Sequence, residues 1–132
     1  MQNYLPEEII NFKNITNAYD VYFIDLWGVI HNGVHLFKNA INVLKELRNL
    51  KKKIILISNA PRSNTTVKHF LKKLNFDLDL IDILVTSGDV TKNYIQKNKN
   101  KTFYHLGPAK DDDLFEGIKN INTNINESDE II

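Results

Sequence analysis

An α/β protein with a Rossmann-like parallel sheet is the fold class this sequence predicts, and three observations carry the prediction. Short apolar runs, VYFID at residues 21–25, IILIS at residues 54–58 and ILV at residues 83–85, have the length of buried strands. Between them lie longer segments whose apolar positions recur at helical spacing. Strands alternating with amphipathic helices imply parallel pairing through right-handed crossovers.

Taken in order, Pro6 with two glutamates and an Ile pair behind it suggests a short helix over residues 6–13, because proline suits the first helical position and acids the first turn. The run at residues 21–25 is too short for a helix and fits a strand buried on both faces. Over residues 36–50, Phe37, Ala40, Ile41, Leu44, Leu47 and Leu50 form one stripe, with Lys45, Glu46 and Arg48 off it. The triplet Lys51-Lys52-Lys53 reads as a solvated helix–strand junction rather than a nucleic-acid patch, because the net charge is only +1. The second strand follows at residues 54–58, and residues 63–74 return to helical spacing through Val67, Phe70, Leu71 and Leu74. A third strand at residues 83–85 leads into a helix through Tyr94 and Ile95, and KTFYHLG carries a fourth strand. Residues 120–126 are polar and expected to be loop, whereas Glu130-Ile131-Ile132 reads as the opening of another strand.

With 132 residues the chain is one domain by size, large enough for a core. Its near-neutral charge offers no electrostatic case for nucleic acid or an acidic membrane surface. The absence of cysteine excludes disulfides and thiolate metal sites. The N-terminus MQNYLPEEII has acids where a signal peptide needs a basic flank and an apolar run, and no segment approaches the ~18–20 apolar residues of a membrane span, so a cytoplasmic location is expected.

In an open parallel sheet, ligands bind beyond the carboxyl ends of the strands. Asp25 ends the first strand, Ser58 and Asn59 the second, and Thr86-Ser87-Gly88 the third, so three polar ends fall on one rim. A lone Asp at a strand end is usually a cap or turn residue, but a carboxylate beside a hydroxyl and an amide suits phosphoryl transfer. The carboxylate can attack phosphorus, splitting a hard displacement into two steps. A divalent cation would screen its repulsion from the phosphate, and the Ser58 hydroxyl with N–H donors at Ser58 and Asn59 would hold the phosphate oxygens. Gly28 allows a sharp turn past the site.

DLWGVIHNG followed by LISNAPRSN resembles the haloacid dehalogenase (HAD) superfamily, and within it the class IIA branch of sugar-phosphate, phosphoglycolate and nitrophenyl phosphatases. The family's first motif, Asp-x-Asp-Gly-Thr/Val, aligns with Asp25-Leu26-Trp27-Gly28-Val29, and its second, a Ser or Thr closing the next strand, with Ser58. The resemblance implies that Asp25 is the nucleophile and a Mg2+ ligand, that the backbone carbonyl of Trp27 also ligates the metal, and that Ser58, with Asn59 beside it, binds the phosphoryl group of a small phosphorylated metabolite. It further implies that residues 1–98 are the first half of a core and that residues 99–132 begin an inserted α/β cap, with TFYHLG as its first strand and residues 113–119 as its first helix. The family's third motif, a Lys, and its fourth, an acidic pair, follow the cap, so the chain reads as an N-terminal fragment expected to be inactive alone. Ser87-Gly88-Asp89 and Asp111-Asp112-Asp113 look like the fourth motif but stand too early; Asp89 reads as a helix-start residue and the triplet as an acid cluster at a helix N-terminus.

One residue departs from the pattern. Trp27 stands where the family places a second Asp, the general acid, and an indole can neither donate nor accept that proton. General acid–base help is worth about 10²–10⁴-fold, or about 3–5 kcal/mol of barrier. His31 or His35 could substitute as proton carrier, although a loop histidine is more often simply solvated. The alternative reading is a non-catalytic binding or regulatory protein on the same fold, favoured by Trp27, whereas Asp25 and Ser58 favour the enzyme. A receiver-like domain fits less well, because its acceptor Asp sits with an acid pair that this chain lacks.

Overall fold

Apolar side chains at alternate positions of three strands make one sheet face that water must leave, and two amphipathic helices close it. The computed structural model describes residues 11–132. In chain order they form β1 (Val21–Asp25), α1 (Lys38–Asn49), β2 (Lys53–Ser58), α2 (Asn64–Lys73), β3 (Ile83–Thr86) and α3 (Ser87–Lys97). The strands pair in parallel in the order β1-β2-β3, with Tyr22 opposite Ile54 and Leu56 opposite Leu84. Tyr22, Ile54, Leu56 and Leu84 meet Leu44 and Leu47 of α1 and Val67 and Leu71 of α2 in one buried cluster. Side-chain oxygens fix where α2 and α3 begin: Ser63 Oγ accepts the Thr66 N–H and Thr86 Oγ1 accepts the Asp89 N–H, both at 3.1 Å. At the lysine junction, Lys51 takes φ 57° just past α1 and Lys52 pairs with Asp20 at 3.0 Å, so the triplet does serve as a turn between helix and strand.

A second, smaller sheet follows. Strands β4 (Phe103–Tyr104), β5 (Ile121–Asn122) and β6 (Glu130–Ile131) run parallel in the order β5-β4-β6, with Phe103 fully buried at the centre. Glu130 is held by the Lys101 ammonium and by the Tyr94 hydroxyl, and its carboxyl pKa is lowered first by Lys101 and then by Tyr94. No helix among the described residues is long and apolar enough to cross a membrane.

Three expectations need correction. The first strand is not buried on both faces: Phe23 is 67% exposed and Val21, Ile57, Ile83 and Val85 share its open face, because α1 and α2 lie against the other. Only Ile55, flanked by Phe23 and Ile83 in register, is covered there, at 8% exposed. The helix expected at residues 113–119 does not form; the chain instead makes a 3-10 helix at Ala109–Phe115 and turns at Gly117, whose φ of +77° ends any helical run. The polar tract at residues 120–126 contains β5 and the start of a 3-10 helix at Ile125–Glu127. The helix expected at residues 6–13 lies mostly outside the described residues, which begin with a 3-10 turn at Phe12–Ile15.

Candidate active site

Parallel register decides which side chains share a rim. Asp25 pairs with Ile57, one residue before Ser58, and Ser58 pairs with Thr86, so the strands end nearly level. Asp25, Ser58, Asn59 and Ser87 consequently line one open cleft of about 410 Å³. Asp25 Oδ1 accepts the Leu26 N–H at 2.7 Å, which holds the carboxylate upright, while Oδ2 takes no hydrogen bond among the described residues. Ser58 Oγ accepts the Ala60 N–H at 3.2 Å, and its own hydrogen has no acceptor among the described residues, so it is available to donate. Thr86 lines the same cleft but is fully buried, and its hydroxyl oxygen is committed to the start of α3. Thr86 is therefore structural here.

The loop after β1 is built around one histidine. His31 N–H donates to the Leu26 carbonyl and the His31 carbonyl accepts from Gly28 N–H, bracketing Trp27 and leaving its carbonyl without a hydrogen bond among the described residues. Gly28, at φ +76°, supplies the turn. The His31 ring is only 3% exposed, packed edge-on between Trp27 and Phe70 at centroid distances of 5.5 and 5.3 Å. Its Nδ1 accepts the Gly33 N–H at 2.9 Å, so the hydrogen of the neutral ring sits on Nε2. Burial lowers its pKa below the ordinary histidine value. His31 is thus neither a solvated loop residue nor a ready acid, since a proton on Nδ1 would break the Gly33 bond. His35 is the exposed one, beside the Asn32 amide.

A second cavity, of about 670 Å³, opens on the other side of Ser58 and Asn59. Trp27, His31 and Phe70 form its aromatic wall, and Arg62, Lys110 and Asp111 its charged one. The structure therefore brings Asp25, Ser58 and Asn59 together at the rim, and sets the Trp27 side chain in the neighbouring cavity rather than beside the carboxylate.

Magnesium asks for oxygen ligands and usually takes one or two carboxylates, with water and substrate phosphate completing its octahedron. The free Oδ2 of Asp25 and the unbonded carbonyl of Trp27 are oxygen donors of that kind, two residues apart in sequence. No group of three or more His, Cys, Asp or Glu side chains able to hold a metal occurs among the described residues. The donors present fit a lightly held Mg2+ and would not fit a closed transition-metal site.

Sequence reasoning did not foresee the role of Arg62, whose Nε donates to Asp111 Oδ1 at 2.9 Å across 49 residues. Asp111 and Asp112 of the aspartate triplet lie in the first turn of a 3-10 helix and Asp113 does not, and all three have specific partners: Asp111 has Arg62, Asp112 has His105 and Asp113 has the Thr66 hydroxyl. The phrase SNAPR contained the arginine, but nothing local in it points to an acid so distant.

A family model for haloacid dehalogenase-like hydrolases matches residues 22–119. Among solved structures, a haloacid dehalogenase-like hydrolase from Brucella suis superposes with a TM-score of 0.80 at 31% identity, covering 96% of this chain and 47% of that one. A protein from Cytophaga hutchinsonii described as a possible sugar phosphatase of the HAD superfamily superposes at 0.63 with 20% identity, over 96% of this chain and 42% of that one. At 20% identity the latter shows the fold alone. No curated protein matches the chain significantly. The chain spans less than half the length of either structure. With its parallel α/β sheet and a family match that runs from β1 through β4 to residue 119, the chain belongs to the haloacid dehalogenase-like hydrolases.

Proposed function

We propose that this chain carries the nucleophile-bearing half of a class IIA phosphatase acting on a small phosphorylated metabolite. The observation that carries the reading is the shared cleft of Asp25 and Ser58 at neighbouring strand ends. An Asp25 oxygen attacks phosphorus, the P–O bond to the leaving group breaks, and an aspartyl-phosphate remains for water to hydrolyse. The Ser58 hydroxyl and the N–H groups at Ser58 and Asn59 hold the non-bridging oxygens through both steps. Mg2+, when bound at Asp25 and the Trp27 carbonyl, supplies charge neutralisation. With no acid at position 27 the leaving oxygen departs without its usual proton donor, which favours esters of acidic alcohols. We assign residues 1–98 to the core and residues 99–132 to the start of a cap, in keeping with the separate β5-β4-β6 sheet.

Beryllium fluoride with Mg2+ tests the nucleophile, because it forms a phosphoryl mimic on a reactive carboxylate. A bound 19F signal that Asp25→Asn abolishes and Ser58→Ala weakens is expected; a signal indifferent to Asp25→Asn overturns the reading. The chain by itself is expected to give no measurable turnover of p-nitrophenyl phosphate, and Mg2+-dependent turnover lost in Asp25→Asn would contradict that. A second reading, a binding protein without turnover, is favoured by Trp27. It predicts phosphate affinity that depends on Ser58 but not on Asp25.

A further inference from the structure

Large aromatic side chains held in place yet left exposed beside a cavity are the usual anchors of ligand sites. Trp27 is such a residue. It is 60% exposed, yet its orientation is constrained from two sides. The buried His31 ring stands at 90° to the indole, and the far edge of the indole lies over Gly33, where an added Cβ would come within 2.8 Å of two of its carbons. Gly33 at φ +91° and its hydrogen bond to His31 lock the underside of this arrangement. The whole phrase WGVIHNG thus folds into a mount for one indole. That mount faces a cavity of about 670 Å³ which shares Ser58 and Asn59 with the cleft of Asp25.

From this we infer that Trp27 is a specificity-determining platform that takes a planar ring in the organic part of the substrate, so that the chain selects phosphate esters of ring-bearing alcohols or phenols over aliphatic ones. The inference rests on the proposed phosphate site at Ser58 and deepens it. An indole face offers a flat ring offset stacking with little rotamer entropy to lose, whereas an aliphatic chain gains only ordinary burial. It also supplies a physical reason for the missing acid: a phenolic leaving oxygen is stable enough as an anion to leave with less help, so a stacking surface can stand where a proton donor otherwise would.

Trp27 is the sole tryptophan of the chain, so intrinsic fluorescence reports directly on the platform. Phenyl phosphate and ethyl phosphate, equal in charge, should be titrated against the chain by fluorescence and by calorimetry. Phenyl phosphate is expected to bind about fivefold more tightly and to perturb the emission, as offset stacking implies. By calorimetry, Trp27→Leu should bring the two esters to equal affinity, and Trp27→Phe should retain most of the preference. Gly33→Ala, which displaces the indole, should also reduce the preference. Equal affinity for the two esters in the parent chain, or a preference that survives Trp27→Leu, overturns the platform, as does failure of either ester to bind. Ser58→Ala should weaken both esters alike; if it weakens neither, the phosphate site fails, whereas the ring preference is judged separately from the parent chain and Trp27→Leu.

Discussion

Arg62 and Asp111 join the two sheets: the guanidinium, on the loop after β2, donates through Nε to a carboxylate in the segment between β4 and β5 at 2.9 Å. Asp111 is 4% exposed, so its charge has left water and, among the described residues, depends on that one partner. Arg62→Ala should therefore destabilise the junction by about 1–3 kcal/mol, tempered because water can enter where the half-covered arginine stood. Hydrogen exchange at Phe103, Tyr104 and Ile121 should accelerate more than at Leu56. Unchanged exchange in the second sheet would show that the pair does not couple the two.

The same loop is pinned from the first turn of α3. Gly88 N–H donates to the Ala60 carbonyl at 3.1 Å, and a Cβ at position 88 would lie 2.5–2.6 Å from three backbone atoms of Arg62. Backbone cannot rotate aside as a side chain does. Gly88→Ala should consequently cost about 1–3 kcal/mol in urea denaturation and shift the loop that carries Asn59. A variant as stable as the parent would mean the loop yields more easily than its hydrogen bonds suggest.

What could be read from the sequence was what local periodicity controls. Residues 36–50 and 63–74 announced α1 and α2 because their apolar spacing is set within each helix. The rim of Asp25, Ser58 and Asn59 was legible because parallel pairing places strand ends together whatever the register detail. The open face of Phe23 was not, since an apolar run records that a strand tolerates burial and not whether anything covers it. Gly117 could have warned against a helix at residues 113–119, but glycine's left-handed φ is a property of the folded turn. The burial of His31 depended on Trp27 and Phe70, one of them 39 residues away, reaching it from both sides.

Acid stability should depend on Asp82. Its carboxylate accepts from Arg48 Nη1 at 2.8 Å and from the Ile54 N–H at 2.7 Å, and these bonds, the Arg48 one first, lower its pKa below the ordinary aspartate value. A carboxyl depressed on folding contributes stability that is present above its unfolded pKa and lost as pH falls through the folded one. Asp82→Asn should thus destabilise the chain at neutral pH and flatten the decline in unfolding midpoint below about pH 4. An acid limb of the same slope in both proteins would assign the loss to other carboxylates, of which Asp129 and Glu130 are also depressed.

The open sheet face has a consequence for association. Val21, Phe23, Ile57, Ile83 and Val85 lie on adjacent strands and are all substantially exposed, which makes a contiguous apolar patch rather than scattered side chains. The outer edges of β1 and β3 are also unpaired among the described residues, so backbone groups there can add to the attraction. The chain should therefore self-associate with rising concentration. Phe23→Lys removes the most exposed aromatic on that face and sets a charge on its β1 side, and should reduce association in sedimentation velocity. Because Phe23 makes little use of burial, the midpoint of urea unfolding should change by less than about 0.5 kcal/mol equivalent. Association unaffected by the lysine would move the sticky surface elsewhere, and a large stability loss would mean that this face is covered in solution.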